Sequence, residues 1–176
     1  RASLAHEKGT NRADFALGRV SKYEWVEQGS SFIPSEFTTA ALSAQLEQLE
    51  EVSLRRRNYY KSYKDQINEL YLDEVKILDL NEDEFSAHAF VLLVKDNATR
   101  EKLIQMMLDL GVVVASHYEP LHSSPFSIRH FGEVNLPVTE DIAGRVLRLP
   151  MWSSPGLQTD IVVDSLSKSL TKLGVT

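Results

Sequence analysis

Residues 7–50 read EKGTNRADFALGRVSKYEWVEQGSSFIPSEFTTAALSAQLEQLE. An aromatic pair, Tyr23 and Trp25, precedes a small-residue turn, Gly29-Ser30-Ser31. A helix is predicted to start at Ser35, a good N-cap, with Glu36 placing a negative charge in its first turn. Two hydroxyls and mobile backbone N–H groups ahead of a helix N-terminus are the layout of a phosphate site. The same composition also makes a plain flexible connection with a capped helix, because Gly-Ser turns are common.

Working outward, residues 1–8 read as the last turns of a helix. Lys8 suits its C-terminal end, and Gly9 is a natural residue just beyond it. Residues 10–34 read as irregular. No Gly or Pro interrupts 35–71, and Leu42, Leu46, Leu49, Val52, Tyr60, Tyr63, Ile67 and Leu70 keep roughly helical spacing. One continuous helix is therefore expected there, roughly 50 Å long at ~1.5 Å per residue, bridging two bodies of structure. Its apolar stripe is too irregular for strict heptads.

Beyond Asp73 the pattern shifts to short apolar runs. Strands are predicted at Val75–Leu80, Ala87–Val94, Val112–Tyr118 and Val146–Leu149. A helix capped by Asn97 or Thr99 runs to Leu110 and stops at Gly111. Residues 119–136 read as a loop holding Pro120 and Pro125. Further helices are expected at about 138–146 and from Gln158 to Leu173. Strands alternating with helices indicate a small α/β layer. The domain reading is 1–34, the connecting helix 35–72, and a C-terminal domain 73–176.

The chain has 176 residues, 43% of them hydrophobic and 25% charged, with a net charge of −6. That balance is globular and gives no support to nucleic-acid or membrane-surface binding. The basic run Arg55-Arg56-Arg57 fits a solvated helix face. No apolar stretch approaches the ~20 residues of a membrane span. Cysteine is absent, which excludes disulfides, thiol nucleophiles and thiolate metal sites and fits a reducing cytoplasm.

His117, Tyr118, His122 and His130 gather in HYEPLHSSPFSIRH (residues 117–130). They suit ligand contact or loop structure equally. A His117/His122 metal pair lacks a third ligand, so no metal is expected. His88 reads as a core histidine. Tyr23 and Trp25 can stack on a ring or pack into an interface. Asn11 and Arg12 can hold an anion or make surface bonds. There is no GxGxxG, P-loop, GxSxG or HExxH.

The ordered segments EKGTNR (7–12), KYEW (22–25), GSSF (29–32), SE (35–36), AALSAQLEQLE (40–50), SAHAF (86–90), HYEPLH (117–122), HFGE (130–133) and RVLRLPMW (145–152) resemble one family. It is the DegT/DnrJ/EryC1/StrS family of sugar-nucleotide aminotransferases, and the likeness covers nearly the whole chain. The resemblance implies an α/β fold: the end of the large domain of a fold-type I pyridoxal-phosphate enzyme, joined by the long helix to its small C-terminal domain. It implies amino transfer, usually from glutamate, to a 4-keto-6-deoxy nucleotide sugar by a homodimer with shared active sites. Lipopolysaccharide or surface-glycan synthesis is the implied setting. In many members an asparagine in the turn before the long helix reaches the partner's cofactor phosphate. Ser31 stands at that position here, so Gly29, Ser30 and Ser31 are the expected cofactor contacts. Tyr118, His122, His117, Tyr23, Trp25, Asn11 and Arg12 are the expected substrate contacts. The family's cofactor-bearing lysine should precede residue 1, so this chain alone is expected to be inactive. A non-enzymatic α/β binding module is the competing reading.

Overall fold

The structure is a computed structural model and describes residues 2–31, 33–78 and 86–175. It divides into two compact units, residues 1–49 and 50–176.

The first unit carries helices α1 (Ala2–His6), α2 (Arg12–Ala16) and α3 (Glu36–Leu46). Backbone bonds hold it together. The Gly9 carbonyl accepts from Val26 and Glu27 N–H at 2.8 and 3.0 Å, Lys8 N–H donates to Ser30, and Ser30 N–H donates to Ala5. Thr10 bridges Trp25. Gly9 has φ +76°, and a Cβ there would meet the Glu27 carbonyl oxygen at 1.8 Å. Only glycine combines that backbone conformation with so close an approach. Among the described side chains of this unit no apolar group is buried. The short α2 lies inside the stretch expected to be irregular.

The expected continuous helix is broken. α3 ends at Leu46, Glu47 and Gln48 form a turn, and α4 runs Leu49–Asn68. The sequence offers no breaker there. What differs is burial: α3 buries nothing, whereas α4 buries Tyr60, Tyr63 and Ile67. Helices gain most of their stability from such packing. The N-cap at Ser35 is as expected, its Oγ accepting from Thr38 N–H.

The second unit is built on an antiparallel sheet of β1 (Lys76–Ile77), β2 (Phe90–Leu93) and β3 (Val146–Leu149), in that order. Register pairs Phe90 with Leu149 and Leu92 with Leu147. These four side chains are buried on one face. Helix α5 (Asn97–Asp109) follows β2. Its cap is Asp96 rather than the expected Asn97 or Thr99: the Asp96 carboxylate accepts from Thr99 N–H at 2.7 Å, and Asn97 bonds the Gly144 carbonyl. At the far end Gly111, with φ +82°, lets Gly111 and Val112 N–H close back on Leu108 and Met107, a Schellman ending.

The expected strand 112–118 reduces to one bridge, Ala115 with Arg148. It is antiparallel to β3, as is β2, so it runs parallel to β2 with β3 between them. Val112 and Val114 are buried and Val113 and Ala115 exposed, so the alternation survives without an extended ladder. The expected loop 119–136 contains a 3₁₀ turn at Leu121–Ser123 and helix α6 (Pro125–Phe131). Ser124 caps α6, and Pro125 sits at its first position, where proline starts a helix rather than breaking one. Helices α7 (Pro137–Arg145) and α8 (Thr159–Leu173) complete the unit.

Phe90 meets Tyr60 and Tyr63 at ring-centroid distances of 4.8 and 5.0 Å. Leu103 and Met107 of α5 and Leu166 and Leu170 of α8 join the same core. Tyr63 Oη donates to the Pro150 carbonyl at 2.9 Å. Tyr63→Ala is expected to cost about 3–5 kcal/mol, as for other large aromatic truncations. Tyr63→Phe should cost about 1–2 kcal/mol, by leaving that carbonyl without its donor. Urea unfolding measures both, and equal midpoints for Tyr63→Phe and wild type would refute the role of the hydroxyl.

Candidate functional site

In the first unit the turn at Gly29–Ser31 is mostly committed to the fold. A Cβ on Gly29 would lie 2.0 Å from Gly9 N, so this glycine serves a backbone crossing. The Ser30 N–H, expected to be free for an anion, donates to Ala5 at 2.8 Å. Its hydroxyl faces the same carbonyl at 3.5 Å. Ser31 is exposed and makes no hydrogen bond among the described residues. The turn therefore presents one hydroxyl rather than a cradle, and Gly29 and Ser30 place it.

Asn11 is likewise structural. Its amide spans two backbone groups, with Nδ2 donating to Lys22 O at 3.0 Å and Oδ1 accepting from Glu24 N–H at 2.8 Å. Asn11 is buried, and both ends of its amide are engaged by the backbone. Arg12 is exposed at the start of α2. Phe15, Tyr23 and Trp25 form an open aromatic row, with centroids 6.3 and 6.0 Å apart. Trp25 is 73% exposed, so its indole is available to a ring or to a further surface.

In the second unit His117 and Tyr118 are both exposed, with ring centroids 5.3 Å apart. Arg148 lies 6.0 Å from the Tyr118 ring centroid, within cation–π range. His122 is turned to α7, where its Nε2 lies 3.1 Å from Glu140 Oε1. The same oxygen accepts from Leu136 N–H at 3.3 Å. A cavity of about 520 Å³ is lined by His122, Ile128, Val134, Asn135 and Glu140. His88 corrects the expectation of a core position. It is exposed, because Ala87, at φ +47°, turns the chain just before it.

Sequence reasoning passed over Glu140 and Arg148. Arg148 had a legible signal: in Val-Leu-Arg-Leu a single cation interrupts an apolar strand, and period-two alternation sends it to the face opposite its neighbours.

The family model of the DegT/DnrJ/EryC1/StrS aminotransferase family matches residues 6–167, and the chain belongs to that family. Among curated proteins it is 29% identical over 146 residues to a dTDP-4-dehydro-2,3,6-trideoxy-D-glucose 4-aminotransferase of Saccharopolyspora spinosa, covering 81% of this chain and 36% of that protein. The fold resembles the aminotransferase TlmJ of Streptoalloteichus hindustanus, with TM-score 0.79, 21% identity, 99% of this chain and 45% of that one. It also resembles Helicobacter pylori PseC, an aminotransferase involved in the biosynthesis of pseudoaminic acid, with TM-score 0.78, 19% identity, and 97% and 45% coverage. The chain thus spans less than half the length of these relatives. Among the described residues no helix is long and apolar enough to cross a membrane.

The Glu140 carboxyl is held below the usual carboxylate range, first by the bond from His122 and then by Leu136 N–H. A depressed folded-state pKa stabilises above the unfolded value and is lost as pH falls through the folded one. The Leu136 amide resonance should therefore titrate with a midpoint below the ~4.3 of an unperturbed glutamate, and Glu140→Gln should abolish that titration. A midpoint at or above the ordinary value would contradict the pairing.

Proposed function

We propose that this chain is the C-terminal portion of a pyridoxal-phosphate-dependent aminotransferase. It would transfer an amino group, with glutamate as donor, to a 4-keto-6-deoxy nucleotide sugar. The observation that carries the reading is the family match over residues 6–167, supported by a fold likeness across almost the entire chain. One solved neighbour, Spr1654 of Streptococcus pneumoniae, is described in its pyridoxal-phosphate form. The first unit agrees with a role as part of a larger body, since it is held by backbone bonds and leaves Phe15, Leu17, Trp25 and Phe37 about half or more exposed.

When bound, pyridoxal phosphate supplies the electron sink for moving the amino group. Toward that group this chain offers the Ser31 hydroxyl, which fits a single phosphate contact; Gly29 and Ser30 hold it in place. In a homodimer with shared sites, that contact would be made to the partner subunit's cofactor. Tyr118, His117 and the row Tyr23–Trp25 are the exposed side chains suited to bind and orient the nucleotide sugar. Arg12 remains available to an anion. His122 acts at one remove, by holding the loop before α7 through Glu140. A cytoplasmic enzyme of lipopolysaccharide or surface-glycan synthesis is the setting we favour, and the cysteine-free composition agrees with a reducing compartment.

The test compares this chain with the protein from its full reading frame. After treatment with pyridoxal phosphate and sodium borohydride, the 176-residue chain should carry no stoichiometric adduct at a single lysine, whereas the full-length protein should. Glutamate should convert the full-length protein's cofactor absorbance to that of the amino form, and a 4-keto nucleotide sugar should reverse it. A single-lysine adduct on the short chain, or a full-length protein without cofactor absorbance, would overturn the proposal. In the full-length protein, Ser31→Ala is expected to weaken cofactor binding by about tenfold, the loss of one hydrogen bond to a charged group.

A further inference from the structure

Residues 117–136 form a strap across the second unit with little to hold it. None of its side chains is buried, and none joins the hydrophobic core. The strap starts beyond the bridge between Ala115 and Arg148 and ends at α7. In between, its hydrogen bonds are local. Ser123 N–H and Oγ donate to the Pro120 carbonyl, Ser124 N–H donates to Leu121, and the Ser124 hydroxyl caps α6. The Tyr118 ring comes no closer than 6.0 Å to the Arg148 guanidinium carbon. Among the described residues, one hydrogen bond ties residues 117–135 to the rest of the unit. It joins His122 Nε2 to Glu140 Oε1 at 3.1 Å.

Glu140 is fixed in place for that contact. α7 begins at Leu136 with no side chain capping it. Glu140 fills the gap by reaching back, its Oε1 accepting from Leu136 N–H at 3.3 Å. The same oxygen faces His122. The carboxyl is held below the usual carboxylate range, so at neutral pH it is ionised and only accepts. Nε2 of His122 therefore carries the proton in this bond. The bond turns one side chain inward: His122 is half-buried, while Leu121 and Ser123 on either side are exposed.

We propose that Glu140 is a positioning residue: through His122 it latches the strap and sets where His117 and Tyr118 stand. The inference rests on the reading above, in which those two exposed side chains meet the nucleotide sugar. Tyr118 lies four residues before His122, with Pro120 between them. Pro120 has φ −60°, and its ring keeps that angle fixed, so the short link carries position from His122 back to Tyr118. A latch of this kind acts on the half of the reaction that takes the sugar and leaves the amino-donor half alone. The geometry itself belongs to the second unit and holds whether or not the chain is part of a transferase.

The latch is tested first in the 176-residue chain, by nitrogen-15 relaxation. Glu140→Ala and His122→Ala should each lower the order parameters of residues 119–135 from the rigid range, about 0.85, to below about 0.6, with α5 and α8 unchanged. In the full-length protein, either change should raise KM for a 4-keto nucleotide sugar about tenfold, the loss of one hydrogen bond to a charged group. The value of kcat should change less than about threefold, so that the effect lies in substrate binding. The glutamate half-reaction, followed by cofactor absorbance, should keep its rate. Because both side chains act through one bond, the double variant should match the singles rather than add to them. Glu140→Gln, a neutral acceptor, should fall between wild type and Glu140→Ala. His122→Ala leaves the start of α7 intact, so it carries the test if Glu140→Ala unfolds. An effect confined to Glu140→Ala would reduce Glu140 to a capping residue and overturn the proposal. Unchanged order parameters, additive KM effects or a fall in kcat as large as the rise in KM would overturn it as well. Absence of amino transfer by the wild-type full-length protein would overturn the reading above, whereas the relaxation result decides the latch by itself.

Discussion

The second unit depends on two tyrosines that are buried whole yet keep their hydroxyls bonded. Tyr60 and Tyr63 project from α4 onto Phe90. Their Oη atoms donate to the carbonyls of Leu78 and Pro150 at 3.1 and 2.9 Å. A phenol buried without an acceptor is costly, so these bonds restrict where α4 can lie. One hydroxyl reaches the residue after β1 and the other the residue after β3, and the helix is thereby fixed to both edges of the sheet. Burial pushes the Tyr63 phenol well above its ordinary pKa, which keeps it a neutral donor. Beside this pair, the Ser62 hydroxyl lies 2.7 Å from that of Thr159, and Gln66 donates to both. The start of α8 is thus tied to the same helix.

With α4 on one face, the sheet acquires an inner and an outer side. Phe90, Leu92, Leu147 and Leu149 fill the inner side. Val91 and Arg148, paired across β2 and β3, are left to the outer side, and Ala115 adds the bridge that carries the chain toward His117 and Tyr118. The half-buried position of Arg148 is a consequence of that division. A cation in the middle of a strand is tolerated because alternation keeps it out of the core, and the Ser116 carbonyl orients it without neutralising it.

The first unit is held differently. Its tightest point is the crossing of Gly9 and Gly29, where two backbones approach too closely for any Cβ. Asn11 substitutes for a strand partner by bonding Lys22 and Glu24. Here polar closure replaces apolar burial, and the aromatic row remains outside. The residues that looked like an anion cradle are largely the hinge of this crossing, which leaves Ser31 as the presented group.

Much of the architecture is local and was legible in the sequence. The stop at Gly111, the cap at Ser35, the strands around Phe90 and Leu147 and the last helix follow from propensity, period and capping, which neighbours in sequence decide. The ordered motifs made the family legible as well. Tertiary structure alone decided the break at Glu47–Gln48, because only α4 finds a core. It shortened 112–118 to one bridge, because β3 offers a partner only at Arg148. It placed His88 and Arg148 at one cavity and drew His122 to Glu140. These outcomes turn on which surface meets a side chain after folding, and spacing along the chain does not encode that.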